Sequence, residues 1–338
     1  MKNIEVQIIS GVPHVTQVLS GFYELNRRGE YSVKFKNMLS APSPYSDMSV
    51  VRVLYNGRVL IYDLLDGYIG TDRMTALLGE CDLYFKRSFS AEKNASLPEE
   101  LSKKMRPLGF NYHVTHKGCP INDPPIKRLI KALTGKESMN SFTKEKFEGK
   151  AEMTEGGRIL FLTRLWDPDE CVTEAGKNER IRINSDRIEI INALRKKYGD
   201  RAVTGLSDTP LARRLAPELI MDGSYTKRAN YIKLLHSSDI CIASTGLHSS
   251  IGWKTGEYVA AAKAIVTEPF AYEVTGDFEY GKNCLTYVTP RECLDAVETL
   301  ISDPDALYGM KKENEKYYRA YLSPDALVRN TLKIADGI

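Results

Sequence analysis

Short apolar runs alternate with longer amphipathic stretches along this chain, and this alternation limits the available folds more than any other property of the sequence. The run "IEVQIIS" (4–10) predicts a strand, the apolar residues from Val15 to Leu25 recur at helical spacing, and "YSVKF" (31–35) predicts a second strand. Further buried strands are predicted within 58–68 and 81–89. Strands that alternate with helices favour a parallel sheet covered on both faces.

A second round of the same alternation follows a polar, lysine-rich stretch at 127–150. It opens with a strand that ends near Arg164, and a helix is predicted at 185–198. Later strands are predicted at 201–206, 239–244, 264–268 and 284–288, and later helices at 231–236 and 291–301. Because 338 residues exceed the usual size of one hydrophobic core, we predict two domains, at 1–150 and 151–318. The fold class is α/β, with two Rossmann-like, doubly wound parallel sheets.

The charge of the chain is small overall but unevenly distributed. The formal net charge is +3, and residues 1–150 hold 22 Lys and Arg against 16 Asp and Glu. This basic half, which includes a predicted basic helix near 127, is either ordinarily solvated or attracted to an anionic membrane surface or a phosphate-bearing substrate. No aromatic-interleaved basic stripe accompanies the charge, so nucleic acid is not an expected partner.

The sequence also bears on location and on metals. No apolar run reaches the roughly 18 residues of a membrane-spanning helix, and the amino-terminal residues lack the apolar core of a signal peptide. We therefore expect a cytoplasmic protein, with peripheral attachment to the inner face of the membrane as an open alternative. The six cysteines and five histidines are scattered without the spacing of a metal site. Neither a metal ion nor a cofactor is expected.

The stretch "STGLHSSIGWKTGEY" (244–258) places small polar residues and a predicted helix start directly after a buried strand. Rossmann-type sheets bind ligands beyond the carboxyl ends of their strands, where helix amino termini offer free N–H groups. Thr245 and Gly246 would let a phosphate approach the backbone. Lys254 would add a positive charge, and Glu257 could accept hydrogen bonds from sugar hydroxyls. A turn followed by a helix cap is the alternative interpretation.

The segment "GEYVAAAKAIVTEPF" (256–270) resembles the glutamate-containing helix and strand of glycosyltransferases of the GT-B fold, whose pattern runs roughly E-A-x-A-x-G-x-P-V-V. Glu257 takes the place of the glutamate that binds the donor ribose in that family. Further resembling segments follow in the family's order at 9–29, 159–165, 281–304 and 317–332. The resemblance implies two domains facing a cleft, with Gly11 in a glycine loop that faces the donor and Arg164 at the donor phosphates. It also implies terminal helices (319–338) that cross back onto the first domain.

Two departures separate this chain from the large retaining group of the family. The position eight residues before Glu257 holds Ser249 in place of a first glutamate, and Ala262 and Ala264 replace the usual Gly and Pro. Retention or inversion of configuration therefore stays open.

The chemistry that the resemblance implies needs positive charge at the leaving phosphate and, for inversion, a general base at the acceptor. Arg164 is the first candidate for the phosphate, because its planar guanidinium can bind a diphosphate through two hydrogen bonds. Lys254 is the second candidate, followed by Arg180 or Lys177. The candidate bases are His14, Asp63 and Asp66, while Lys86 and Arg87 either contact the acceptor or form salt bridges.

The sequence thus favours a metal-independent glycosyltransferase that uses a nucleotide sugar and a glycan or lipid-linked acceptor, in the synthesis of a surface polysaccharide or glycoconjugate. Three alternatives remain: a nucleotide-sugar epimerase, a CDP-polyol phosphotransferase, and a non-catalytic protein that binds a sugar or nucleotide. A dehydrogenase is disfavoured because residues 8–21 lack the three-glycine dinucleotide fingerprint.

Overall fold

The chain folds into two α/β units, and the computed structural model describes residues 2–45 and 47–337. Unit 1 comprises the chain up to Lys146, Ala271–Asp277 and the chain from Tyr317 onward. Unit 2 comprises Phe147–Phe270 and Phe278–Lys316. The segment Ala271–Asp277 lies inside the second domain that the sequence predicts (151–318), but it belongs to unit 1.

The strands and helices are numbered in chain order. The strands are β1 (Asn3–Ile8), β2 (Ser32–Asn37), β3 (Val50–Tyr55), β4 (Arg58–Asp63), β5 (Leu83–Lys86), β6 (Met105–Pro107), β7 (Ile159–Thr163), β8 (Ala202–Leu206), β9 (Ile240–Ala243), β10 (Ala264–Thr267) and β11 (Leu285–Thr286). The helices are α1 (Thr16–Arg27), α2 (Thr71–Gly79), α3 (Ala91–Asn94), α4 (Glu99–Ser102), α5 (Pro125–Leu133), α6 (Lys144–Phe147), α7 (Glu174–Tyr198), α8 (Pro210–Leu215), α9 (Gly223–Thr226), α10 (Arg228–His236), α11 (Trp253–Ala260), α12 (Pro290–Ser302), α13 (Pro304–Tyr317) and α14 (Pro324–Asp336).

Six strands form the sheet of unit 1, in the order β2-β1-β3-β4-β5-β6. The α/β class is as predicted, but β3 is an exception to the predicted parallel arrangement, because it runs antiparallel to both β1 and β4. The cause is the turn that joins β3 to β4. Asn56 (φ 50°) and Gly57 (φ 76°) are both left-handed, and such a two-residue turn can join only antiparallel strands.

Helix α1 of unit 1 packs against both the sheet and α14. Its apolar residues, including Phe22 and Leu25, share a core with strand residues and with Leu327 of α14. The two helices approach so closely that a Cβ at Gly21 would lie 2.1 Å from the carbonyl oxygen of Pro324. This packing confirms the prediction that the last helix of the chain returns to the first domain.

Five strands form the sheet of unit 2, in the order β11-β10-β9-β7-β8, and every neighbouring pair is parallel, as predicted. The core beneath it joins apolar side chains of β7, β8, β9 and β10 with those of α7, α8 and α12. Because the strands are parallel, their carboxyl ends share one edge of the sheet, where loops and helix starts also meet.

Helix α7 begins at Glu174, well before the predicted start at Ser185. The side chain of Thr173 caps it by accepting a hydrogen bond from the backbone N–H of Gly176 over 3.2 Å. The first turns are polar and carry no apolar stripe, so periodicity could not reveal them. The earlier start places Lys177 and Arg180 on a helix instead of in a loop.

Candidate functional site

The candidate site lies at the carboxyl edge of the unit 2 sheet. Strands β7, β9 and β10 consist of buried or half-buried residues and are followed directly by Arg164, Ser244 and Glu268. Residues that follow buried strands leave the sheet pairing and become available for binding. Arg164 and the loop that starts at Ser244 were predicted for this edge, whereas Glu268 was not.

Arg187, on α7, fixes the first residues of the loop after β9. Its side chain is buried and donates hydrogen bonds to Ser244 Oγ and to the Thr245 carbonyl oxygen, each over 3.0 Å. The same guanidinium donates to the Arg164 carbonyl oxygen over 2.5 Å. Burial lowers the pKa of Arg187 to about 10, so the group remains a cation at neutral pH. One buried cation thus ties together the backbone that follows β7 and β9.

Glu268 holds the same loop through Thr245. Its carboxylate accepts hydrogen bonds from the Thr245 backbone N–H over 2.6 Å and from Thr245 Oγ1 over 2.8 Å. Arg182 lies 3.6 Å from the other carboxylate oxygen. The sequence predicts that the Thr245 backbone approaches a phosphate, but in this structure the Thr245 N–H donates its hydrogen bond to Glu268. The role of Thr245 in this structure is to hold the loop.

The rest of the loop is a tight turn closed by its own backbone. The Gly246 N–H donates to the Ser250 carbonyl oxygen over 2.8 Å, and a Cβ at Gly246 would lie 2.5 Å from Ser250 Oγ. His248 (φ 60°) and Ser249 (φ 54°) are both left-handed. Two consecutive non-glycine residues in this region are strained, so the surrounding bonds must hold the turn in place.

Arg164 is positioned by an aromatic ring. Its guanidinium carbon lies 3.6 Å from the centroid of the Trp166 ring, a cation–π arrangement. The Asn184 side chain fixes the backbone of Trp166. Its Oδ1 accepts a hydrogen bond from the Trp166 backbone N–H (2.9 Å), and its Nδ2 donates to the Trp166 carbonyl oxygen (2.7 Å). Arg164 is exposed and forms no ion pair with any residue in 2–45 or 47–337. Burial lowers the pKa of Arg164 and the nearby Glu170 carboxylate raises it, so the protein presents a positive charge that no ion pair holds.

A surface depression of about 670 Å³ opens between the start of α7 and the turn at 247–249. Its lining includes Thr173, Gly176, Arg182 and His248. The amino end of a helix carries a partial positive charge and N–H groups without partners in the helix. Arg180, Arg182 and this helix end suit an anion, while Glu179, which also lines the depression, opposes one.

Arg180 and Lys177 are engaged within their own segment. Arg180 donates to the Asp167 carbonyl oxygen and lies 3.5 Å from the carboxylate of Glu170. Lys177 pairs with Glu174 over 3.0 Å. Arg180 still lines the depression, but its charge is partly compensated.

Glu257, on α11, is buried and holds two protein partners. Arg228 donates to its Oε1 over 2.5 Å, and the hydroxyl of Tyr231 donates to its Oε2 over 2.6 Å. The Arg228 guanidinium also lies over the rings of Phe147 and Tyr231, at 4.6 and 5.1 Å. Each carboxylate oxygen has a second lone pair. Glu257 is thus oriented by α10 and retains the capacity to accept further hydrogen bonds.

Lys254 lies one turn before Glu257 on α11. Its Nζ is 4.7 Å from the centroid of the Tyr231 ring. Burial lowers the pKa of Lys254 to about 8, the Glu257 carboxylate raises it, and the positive charges of Arg228 and Arg187 lower it again. Both predicted residues of α11 therefore share one electrostatic environment with the residues that fix the loop.

In unit 1 the structure brings His14 and Asp66 together near Arg87. Burial and the Arg87 charge lower the pKa of His14, while the Asp66 carboxylate raises it. Asp66 is exposed to solvent and pairs with the buried Arg87 over 2.5 Å. These residues follow β1, β4 and β5, whose carboxyl ends lie at one edge.

Asp63, the third candidate base, ends β4 at that edge, but its side chain is buried in the interior. It is fully buried, and its carboxylate accepts hydrogen bonds from Lys86 Nζ over 2.8 Å and from Tyr84 Oη over 2.9 Å. Its other oxygen accepts from the Leu65 N–H over 2.9 Å. Asp63 opposes Lys86 across the β4–β5 pair, so the two form an internal ion pair. Because both side chains are buried, neither Asp63 nor Lys86 is a candidate for contact with an acceptor hydroxyl.

Gly11 is exposed and adopts no left-handed conformation, and a Cβ there would meet only the Leu39 side chain, at 3.5 Å. A glycine is therefore not required at this position by the backbone. Its expected place at the donor rests on the family resemblance alone.

Several residues of the site were missed from the sequence, among them Glu268, Arg187, Arg228 and Tyr231. Glu268 could have been predicted from the sequence, because it is the polar residue that directly follows a buried strand. Arg187, Arg228 and Tyr231 lie inside helices, where nothing in a single sequence distinguishes them from ordinary helix residues.

Two further features of residues 2–45 and 47–337 concern metals and membranes. No group of three or more His, Cys, Asp or Glu side chains among these residues is arranged to hold a metal ion. None of the helices in that part of the chain has both the length and the apolar character needed to cross a membrane.

The chain is similar to several solved structures. HepE of Anabaena, solved in complex with UDP and glucose, is 10% identical over 100% of both chains, with a TM-score of 0.47. A glycosyltransferase from Rickettsia africae is 13% identical over 98% of this chain and 96% of that chain, with a TM-score of 0.42. The C-terminal domain of LpcC, a glycosyl transferase group 1 family protein of Francisella tularensis, is 15% identical over 52% of this chain and 96% of that domain, with a TM-score of 0.36. No protein-family model and no curated protein matches the sequence.

Proposed function

We propose that this chain transfers a sugar from a nucleotide-sugar donor to a glycan or lipid-linked acceptor, and that the carboxyl edge of unit 2 binds the donor. The proposal rests mainly on Arg164, which is exposed, held against Trp166 and in no ion pair among the described residues, although the Glu170 carboxylate is near enough to raise its pKa. An arginine that is ordered and held in no ion pair is suited to bind a diphosphate. The resemblance of 256–270 to the donor-binding half of GT-B glycosyltransferases selects a nucleotide sugar among phosphate ligands.

In this proposal each part of the edge has one task. Arg164 and the amino end of α7 neutralise the diphosphate as it leaves, so that neither a metal ion nor a cofactor takes part. Lys254 adds charge while it is protonated. Glu257 uses its remaining lone pairs to accept hydrogen bonds from the ribose, and Arg228 and Tyr231 keep its carboxylate in position for this.

His14 is the base that we propose for the acceptor hydroxyl if the reaction inverts configuration. Burial and Arg87 lower its pKa, so the imidazole is neutral at pH 7 and can accept a proton. Asp66 is the second candidate. We propose a cytoplasmic reaction that serves surface polysaccharide or glycoconjugate synthesis.

The test is turnover of a donor panel by the parent protein, Arg164→Ala and Arg291→Ala. Arg291 is a surface arginine of α12 whose side chain is 90% exposed, so it is the matched control. UDP-, GDP-, ADP- and CMP-activated sugars and a CDP-polyol are each incubated with a total glycan and glycolipid extract, and the released nucleotide and the product are identified. We expect release of one nucleoside phosphate and a glycosylated product, with at least tenfold less of both from Arg164→Ala.

Other outcomes assign other functions. Release of CMP from the CDP-polyol with transfer of a polyol phosphate identifies a phosphotransferase, and donor isomerisation without an acceptor identifies an epimerase. Nucleotide binding without turnover of any donor identifies a binding protein. Equal turnover by Arg164→Ala and the parent contradicts the proposed donor site.

A further inference from the structure

Helix α5 of unit 1 turns its apolar side to solvent. Ile126, Leu129, Ile130 and Leu133 are 76%, 63%, 55% and 80% exposed. Their spacing places them on one face of the helix, and a surface helix normally buries such a face against the core. This helix therefore has the reverse of the usual orientation.

The polar side of α5 attaches it to the rest of unit 1. Lys131 Nζ lies 2.7 Å and Lys127 Nζ 3.0 Å from the carboxylate of Asp123, which is buried. Asp123 also accepts hydrogen bonds from the Met139 N–H over 2.9 Å and from Ser138 Oγ over 3.1 Å. One carboxylate, two residues before the helix, thus binds residues within and after it, and it fixes the apolar face outward.

The charge around this face is positive. Residues 124–136 hold four basic side chains and no acidic one. Lys127 and Lys131 are paired with Asp123, but Arg128 and Lys136 are exposed and form no ion pair with the described residues. An apolar face flanked by unpaired cations matches a surface that combines apolar chains with anionic groups.

We propose that α5 is an interfacial helix through which the protein binds an anionic lipid bilayer. The helix lies in the plane of the interface, with Ile126, Leu129 and Leu133 among the acyl chains and Arg128 and Lys136 at the headgroup phosphates. Nine residues bury few side chains, so binding is reversible and needs both the apolar and the charge contribution. The inference is independent of the proposed sugar transfer, since bilayer binding needs no donor.

The test is co-sedimentation of the full chain with vesicles of equimolar phosphatidylglycerol and phosphatidylcholine, and with vesicles of phosphatidylcholine alone. We expect the parent protein to bind the anionic vesicles and to be released by high salt. Leu129→Ser with Leu133→Ser should lower the bound-to-free ratio at least tenfold. Arg128→Gln with Lys136→Gln should lower it several-fold and weaken the salt dependence.

The matched control is Leu215→Ser with Val288→Ser, which removes two apolar side chains of unit 2 that are 51% and 67% exposed. It should bind like the parent. All the substituted residues are exposed, so the melting temperatures should stay within a few degrees of each other. Absence of parent binding to anionic vesicles overturns the proposal, as does unchanged binding of the α5 leucine variant. A dimer of the parent that becomes a monomer in the leucine variant, with no vesicle binding by either, assigns the face to a second copy of the chain instead.

Discussion

Arg187 donates a hydrogen bond from its buried guanidinium to the backbone carbonyl oxygen of Thr245 over 3.0 Å, and this bond joins α7 to the loop after β9. The same side chain also binds Ser244 and the carbonyl oxygen of Arg164. The loop at the carboxyl edge is therefore set by the protein itself before any ligand arrives. Binding sites that are ordered in advance lose less entropy when the ligand binds.

The first prediction concerns Arg187 itself. Arg187→Met removes the donor from three acceptors, and we expect the free energy of unfolding to fall by about 3 kcal/mol. Nucleotide binding should weaken as well, because the loop loses its support. Urea denaturation measures the first effect. Arg213→Met is the control, since Arg213 is 68% exposed in its surface pair with Asp208 and its loss should cost less than about 1 kcal/mol.

Glu257→Ala should destabilise the protein as well as weaken donor binding. The substitution leaves the Arg228 guanidinium without its carboxylate in a buried setting, which costs about 3 to 5 kcal/mol of stability. Tyr231→Phe keeps that ion pair and removes one hydrogen bond, so it should cost about 1 kcal/mol. Both are measured by denaturation, and binding is compared below the unfolding transition of each variant. A Glu257→Ala protein as stable as the parent contradicts the buried pair.

Lys254 should give nucleotide binding a pH dependence. Burial lowers its pKa to about 8, so its charge disappears as the pH rises through that value, and affinity for a phosphate should fall between about pH 7 and pH 9. The effect on folding has the opposite sign. Between about pH 8 and the ordinary value of 10.5 the unfolded chain binds more protons at this residue, so its contribution to stability rises with pH. Calorimetric titration checks the first trend, and Lys254→Met should bind more weakly at pH 7 with a flatter profile.

Substitutions of Asp63 and Asp66 should affect stability and turnover differently. Asp63→Asn breaks the buried pair with Lys86, and we expect a loss of about 3 to 5 kcal/mol in the free energy of unfolding. Asp66 is exposed but its partner Arg87 is buried, so Asp66→Asn should cost less than Asp63→Asn, about 1 to 3 kcal/mol. If Asp66 supports the acceptor base, its variant loses turnover in assays below its unfolding transition, where the protein is folded. A smaller loss of unfolding free energy for Asp63→Asn than for Asp66→Asn in denaturation experiments would contradict the placement of Asp63 in the interior.

Much of the fold was predictable because its elements follow hydrophobic periodicity. The strands of unit 2 alternate with apolar helices, and the structure has them where the sequence predicts them. The antiparallel β3 was missed although the Asn56–Gly57 turn is visible in the sequence as a hairpin signal. The start of α7 was missed for a different reason, since a polar helix start has no apolar period to detect.

The site was predictable only in part. The family resemblance identified Arg164, and the helix start after a buried strand together with that resemblance identified Glu257, but neither gives the partners of these residues. Arg187 lies 57 positions before Ser244, and Arg228 lies 29 before Glu257, so only the folded chain brings them together. Asp63 was mistaken for a surface base because its pairing with Lys86 depends on the register of β4 against β5, which one sequence does not fix.

The most direct test of the central claim is nucleotide binding, measured by thermal shift and by calorimetry without metal ions. UDP, GDP, CMP, CDP and ADP are tested against the parent protein, Arg164→Ala and the surface control Arg291→Ala. We predict that one nucleoside diphosphate stabilises the parent and the control, and that Arg164→Ala binds it at least tenfold more weakly, which corresponds to about 1.4 kcal/mol. Equal binding by all three proteins, or no binding of any nucleotide to the parent, would contradict a donor site at the carboxyl edge of unit 2.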